Sequence, residues 1–304
     1  MTVPKNEKST KTPFFSVVIP CYERPEDLRR CLQSLSRENQ KEAPSYEIIV
    51  TDDSRSEDCQ KVVELDFPHA SWGQGKQNGP GGNRNAGVER AKGEWIVFID
   101  DDCVAEPDYL KAYLNAVTNH PEVSLFEGKI FPDRPKRTWA ETCPENSAGG
   151  MFWTSNLCIK KKVFEKLGGF DERFEIAYED VDLAYRVKEA RIKTLFVETA
   201  SACHPWRTLR RKGNNWKPKG FELQELLLFL DKHPDSKEEH GSPKVYLRHA
   251  CRMLSKDLFT CLFQCKARGI DILLAQFLTT CTTVILVITN SWKNARKDDL
   301  GSSL

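Results

Sequence analysis

Within the first hundred residues, apolar β-rich runs alternate with helical patterns, and two of those runs stop abruptly at clustered carboxylates. The runs are Phe14–Pro20 (FFSVVIP), Glu47–Val50 (EIIV) and Glu94–Ile99 (EWIVFI). Between the first two lies a helical spacing of Leu28, Cys31, Leu32 and Leu35, opened by Glu26 and Asp27 at its positive end. Between the second and third, a Gly/Asn-rich turn at residues 79–87 (GPGGNRNAG) leads into a short helix. Strands and helices in this alternation predict a parallel, helix-covered sheet. Ile96–Ile99 shows no polar alternation, as a strand buried on both faces requires.

A chain of 304 residues suffices for one sizeable α/β domain with an accessory segment. Its net charge of +1 supplies no field for nucleic acid, which is not expected as a partner. The eleven cysteines are odd in number and contain no CxxC pair, and the N-terminus is polar, without the apolar core of a secretory signal. Reduced thiols in the cytoplasm are the expectation, with no spacing that marks a zinc site.

Further along, Ser147–Ile159 reads as irregular and apolar around Gly149-Gly150, followed by a short helix at Lys161–Leu167. Tyr178–Asp182 opens another helix, with Leu183, Val187 and Ala190 as its buried stripe, and a strand at Thr194–Val197 leads to His204. Beyond Pro218 the pattern is helical. Residues 272–289 carry 18 residues without a charge, the lower bound for crossing a bilayer, but five threonines and Gln276 fit a buried or oligomer-forming helix equally. A basic run holds Arg207, Arg210, Arg211, Lys212, Lys217 and Lys219. It reads either as a loop that closes over a diphosphate or meets a lipid phosphate, or as a solvated connector.

Asp100, Asp101 and Asp102 close the third strand. Three adjacent carboxylates repel one another and call for a cation or for donors. Oxygen ligands suit Mg2+ or Mn2+, and the carboxyl edge of an open α/β sheet is where ligands bind. The plainer alternative is a solvated turn before the next helix. Asp52 and Asp53 end the second strand and would meet a base or ribose, or form an Asx-turn with Ser54. Arg84 would face a phosphate or base; Asn83 and Asn85 serve equally as helix caps. Glu179 and Asp180 are candidates for a general base, although a helix start favours both for its dipole alone. His204 would complete a metal site or be structural.

Four stretches, residues 15–35, 46–54, 79–103 and 168–187, resemble glycosyltransferase family 2 of the non-processive type, in family order across residues 14–206. The resemblance implies a GT-A fold: α/β, with a mostly parallel central sheet flanked by helices and a helical C-terminal extension. It implies a flexible N-terminus at 1–13, a catalytic domain at 14–206, a connector at 207–220 and a helical extension at 221–269. A membrane-associated or transmembrane helix at 270–289 and a polar tail at 290–304 complete the organisation. By position, Pro20 and Tyr22 would line the base, Asp53 would bind base or ribose, and Arg84 the base or phosphate region. Asp102 would be the main metal ligand, with Asp100 and His204 beside it; Asp101 or Asp100 would hold the ribose or donor sugar. Asp180, with Glu179 next to it, would be the catalytic base. Ser155, Asn156 and Lys160 depart from the family's usual Asn and Arg, so donor-sugar contacts do not carry over. The Gln/Arg-x-x-Arg-Trp motif of processive synthases is absent, which points to single addition. The implied activity is Mn2+- or Mg2+-dependent transfer from a nucleotide-diphosphate sugar, UDP-sugar favoured, to a saccharide or lipid-linked acceptor hydroxyl with inversion. The implied setting is cell-surface polysaccharide or glycolipid synthesis in the cytoplasm or at the cytoplasmic face of the membrane. The rival readings are a non-catalytic sugar-nucleotide-binding protein and a metal-dependent nucleotidyltransferase.

Overall fold

A computed structural model describes residues 12–139, 141–208, 220–237 and 242–264, together with isolated positions between 270 and 285. The first alternation appears as β1 (Phe15–Cys21), α1 (Pro25–Ser34), β2 (Tyr46–Asp52), α2 (Asp58–Lys61), β3 (Ala70–Gln74), α3 (Pro80–Arg90) and β4 (Trp95–Ile99). There follow β5 (Val104–Ala105), α4 (Tyr109–Asn119), β6 (Leu125–Pro132), β7 (Glu141–Thr142) and β8 (Asn156–Lys160). The remainder is α5 (Lys161–Lys166), α6 (Glu179–Glu189), β9 (Thr194–His204), β10 (Arg207–Thr208), α7 (Gly220–Lys232) and α8 (Pro243–Arg252).

Eight strands form one sheet in the order β3-β2-β1-β4-β8-β6-β9-β5. The expectation of a mostly parallel sheet needs correction. The β3-β2-β1-β4 half is parallel throughout, but β8 runs antiparallel to both β4 and β6, and β5 antiparallel to β9; the sheet is mixed. The cause lies in Ser147–Ile159, whose last residues are a strand rather than irregular chain. No helix lies between β7 and β8, so β8 does not enter by the crossover that a parallel neighbour of β4 needs.

Side-chain alternation along β1 splits the core. Val17 and Ile19 pack under α1 and α4 with Leu28, Leu32, Tyr109 and Tyr113; Val18 packs on the other face with Ile49, Phe98, Phe164, Phe170 and Leu183. Asn156 is a buried polar hub: its Oδ1 accepts from the Tyr109 and Tyr113 hydroxyls (2.9 and 2.6 Å), and its Nδ2 donates to the Lys129 and Ala200 carbonyls. Strand β9 pairs with β6 in parallel, but the register jumps from Gly128↔Val197 to Lys129↔Ser201. The buried positions change parity at that bulge, from Val197 to Ala200, Ala202 and His204.

Two compact units divide the chain. The sheet belongs to the first, which comprises residues up to Pro132, Pro144–Glu175 and Glu179–Pro205. In the second, β7 and β10 pair antiparallel, and Glu141 accepts from Arg134 (2.7 Å) and from the Arg137 and Thr138 amides. The Glu225 carboxylate of α7 accepts the Ile176 and Ala177 amides at 2.8 and 2.7 Å. Among the described residues, no helix is long and apolar enough to cross a membrane. Residues 1–11, the basic run 209–219 and most of 270–304 lie outside the described residues.

Candidate active site

The carboxyl ends of β1, β2 and β4 meet at one edge because these strands are parallel neighbours. Asp52 and Asp53 are consecutive, yet they do different things. Asp52 is buried and internally satisfied: Oδ1 accepts the Ser54 amide (2.9 Å), closing the expected Asx-turn, and Oδ2 accepts Trp72 Nε1 (3.2 Å). Asp53 points away from that pair and accepts the Gln77 amide (2.9 Å). Burial raises its pKa, opposed by the Gln77 N–H and reinforced by Asp52. Gly75 makes room for it, since a Cβ there would overlap Asp53 Oδ1 and Asn83 Oδ1. Pro20 is buried within β1, whereas Tyr22 is 53% exposed just beyond the strand.

The acidic triplet is divided between two arginines. Arg84, on α3, is buried and bridges Asp100 Oδ1 (2.7 Å) and Glu179 Oε1 (3.1 Å). The phosphate or base contact expected of it is thus taken up, in this structure, by two carboxylates. Arg24, which sequence reasoning did not single out, donates Nη1 to Asp101 Oδ1 (3.0 Å) and to Asp102 Oδ2 (3.1 Å). Asp101 also accepts the Tyr22 amide at 3.3 Å. Burial pushes the Asp101 carboxyl up to about 7, with Arg24 pulling it down and Asp102 and Asp100 pushing it further up.

Asp102 faces His204. Nε2 of the imidazole lies 3.3 Å from Asp102 Oδ1, and Nδ1 lies 2.8 Å from the Pro205 carbonyl. That carbonyl can only accept, so Nδ1 carries a proton and Nε2 is the ring nitrogen turned to Asp102. The strand expected at Thr194–Val197 runs on to His204, which is the buried last residue of β9. Cys103 Sγ is near the same pair, within a group whose candidate ligand atoms all lie within 4.8 Å of one another. Its thiol donates to the Ser155 carbonyl (3.7 Å), and burial, then Asp100 and Asp102, hold it protonated. One carboxylate and one imidazole, with a thiol alongside, make a donor set that a divalent cation fits. Asp100 is turned instead to Arg84.

Glu179 and Asp180 start α6. Glu179 is buried against Arg84, and Asp180 is half-buried with one oxygen accepting the Val181 amide (2.8 Å). Burial raises both carboxyls; for Glu179 the nearby Asp180 adds to the rise, while Arg84 opposes it in both. The Gly/Asn-rich stretch expected to be a turn is itself helical from Pro80 onward, with Gly79 as its cap, and it is tied to the approach to α6. Asn85 clamps Phe170 through both backbone groups (2.9 Å each), and Glu172 accepts from Lys76, Asn78 and Asn85. Asn83 and Asn85 are therefore cross-braces rather than caps, Asn83 donating to the Cys21 carbonyl at 3.3 Å. Gly79 opens α3 at φ 93°, where a Cβ would overlap the Glu175 carbonyl.

A second cluster also escaped the sequence reading. Cys21 and Cys59 are buried with their sulfurs 3.2 Å apart, beside Asp52. The Cys21 thiol donates to Cys59 and lowers its pKa, against burial and with further help from Ser54 and the Arg24 backbone. All described cysteines are free thiols, as expected. Asn156 faces no ligand, being consumed by the core contacts described above.

Residues 16–182 match the family model described as glycosyl transferase family 2. An uncharacterized glycosyltransferase of Haemophilus influenzae is 26% identical over 186 residues, 57% of this chain and 61% of that protein's length. The amylovoran biosynthesis glycosyltransferase AmsB of Erwinia amylovora is 27% identical over 242 residues, 71% of this chain and 76% of its own. Among solved structures, S. aureus TarS 1–349 in complex with UDP-GlcNAc superposes with a TM-score of 0.53 at 21% identity, covering 71% of this chain and 65% of TarS 1–349; the likeness is one of fold. Since the family model spans more than half of the 304 residues and the sheet is that of a GT-A-like fold, the chain belongs to glycosyltransferase family 2, a family of sugar-transferring enzymes.

Proposed function

We propose that this enzyme transfers one sugar from a nucleotide-diphosphate donor, a UDP-sugar by preference, to an acceptor hydroxyl by a single inverting displacement. The observation that carries the reading is the pairing of Asp102, at the end of β4, with Nε2 of His204. Asp102 and His204 would hold Mn2+, which when bound supplies positive charge to the departing diphosphate. Tyr22 and Asp53 would receive the base and ribose; the outward turn of Asp53, against the internally satisfied Asp52, supports that assignment.

Asp180 is the base in this reading. Its half-buried position and raised affinity for a proton suit a group that must take one from an alcohol, whereas Glu179 is spent on Arg84. As the acceptor O–H proton passes to Asp180, the oxygen bonds to C1 of the sugar. The C1–O bond to phosphate breaks with its electron pair on the nucleoside diphosphate. Single addition follows from the missing processive motif. That AmsB is an amylovoran biosynthesis glycosyltransferase supports a role in glycan assembly; the acceptor in this reading is a saccharide or a lipid-linked saccharide.

A screen of nucleotide sugars against saccharide and lipid acceptors in Mn2+, reading nucleotide release, tests the proposal. Release of UDP that needs acceptor and metal and is lost in Asp180→Asn is the expected result. Acceptor-independent binding without turnover, or pyrophosphate release from a nucleoside triphosphate, would overturn it.

A further inference from the structure

The two arginines that neutralise the triplet are not equivalent. Arg84 has a side chain only 5% exposed, between two carboxylates on different elements, and cannot leave without stranding both. Arg24 is 45% exposed, while the Asp101 and Asp102 side chains it bridges are 5% and 3% exposed. The backbone beneath it is pinned. Tyr22 N–H donates to Asp101, and Glu23 N–H to Ser54 Oγ (2.7 Å). The Glu23 carboxylate accepts the Arg55 amide (2.7 Å), and the Arg24 carbonyl accepts from Leu28 in the first turn of α1 (3.0 Å). Glu23 itself sits at φ 54°, a conformation these bonds hold in place. A fixed backbone thus carries a long, half-exposed side chain whose head reaches down to two buried carboxylates.

Arg24 also lies on Asp102 Oδ2, the second oxygen of the carboxylate whose Oδ1 faces His204 and would serve the proposed metal site. A guanidinium and a divalent cation cannot both sit there without repulsion. We infer that Arg24 is an exchangeable counter-cation: it neutralises Asp101 and Asp102 in the nucleotide-free enzyme, then yields them to the metal and turns its planar fork onto the phosphates of the donor. Phosphate oxygens match that fork as carboxylates do. The exchange makes metal and nucleotide binding mutually dependent, because the arginine needs a diphosphate to receive it once it leaves the carboxylates. This inference rests on the metal site of the proposed function.

The test is a titration of the full-length protein with Mn2+ alone, then with UDP and with UMP at saturating Mn2+, for wild type, Arg24→Gln, Arg24→Lys and Asp102→Asn. Arg24→Gln should bind Mn2+ about tenfold more tightly without nucleotide, since it removes a half-exposed positive charge from the ligand carboxylates. The same variant should bind UDP about tenfold more weakly and UMP within about twofold of wild type, because only the second phosphate loses its partner. Arg24→Lys, which keeps the charge but not the fork, should match wild type for Mn2+ and fall between the others for UDP. Thermal melts establish that each variant is folded. Unchanged or weaker Mn2+ binding in Arg24→Gln, with Asp102→Asn losing it, overturns the exchange alone. Mn2+ binding that survives Asp102→Asn overturns the metal site and the exchange together.

Discussion

Arg84 and Glu179 meet at 3.1 Å with side chains 5% and 9% exposed, linking the Gly/Asn-rich helix α3 to the helix that carries the candidate base. The same guanidinium holds Asp100 at 2.7 Å. Removing one partner of such a buried pair strands the other charges, at a cost of about 3–5 kcal/mol. Arg84→Met should therefore lower the unfolding free energy by that order in urea denaturation. Arg84→Lys should lose less, since one ammonium keeps the charge but replaces the fork by a single point.

Stability should fall as pH rises from about 4.5 to about 7. Burial first, then Asp180, push the Glu179 carboxyl from 4.5 up to about 7, Arg84 notwithstanding. A raised carboxyl binds its proton more tightly in the folded chain, so its contribution is complete below the unfolded value and is lost as pH climbs through the folded one. Urea unfolding across that window, compared with Glu179→Gln, should show a flatter dependence in the variant.

Asp180→Asn keeps the shape of α6 and removes the proton acceptor. Turnover should fall at least about a hundredfold, the lower bound for losing a positioned general base. UDP affinity should stay within about twofold of wild type, because the loss falls on the proton transfer and not on ground-state binding. Steady-state rates and calorimetric UDP titration check the two halves separately.

Gly75→Ala tests the base subsite without touching its charge. The new Cβ overlaps Asp53 Oδ1 and Asn83 Oδ1, so the carboxylate must swing aside. UDP affinity should weaken about tenfold, the size of one misplaced charged hydrogen bond. Mn2+ affinity in the absence of nucleotide should be unaltered.

How much of this was legible depended on the range of the interaction. The ends of β2 and β4 were readable because a strand buried on both faces is uniformly apolar, so its carboxylates mark the end unambiguously. Asp52 and Asp53 could not be told apart, since a one-residue step decides which side chain turns inward to Ser54 and Trp72. Arg24 resembled any residue preceding a helix; its partners lie 77 and 78 positions away, where no local pattern reaches. The short apolar run ending in β8 gave neither helical nor alternating periodicity, and the antiparallel place of β8 between β4 and β6 was missed with it.

The bulge in β9 gives the strand a reading frame. Between Val197 and Ser201 the chain inserts an odd number of residues relative to β6, and everything downstream faces the side it otherwise would not. A single-residue deletion at Glu198 or Thr199 would keep the chemical composition of the site intact while turning the imidazole of His204 to the opposite face of the sheet. Cys203 and Pro205 would take its side. Substitution at these exposed positions is cheap, whereas a change of length there is a frameshift in space, which makes the length of this segment, rather than its residues, the quantity that should resist change among functional descendants.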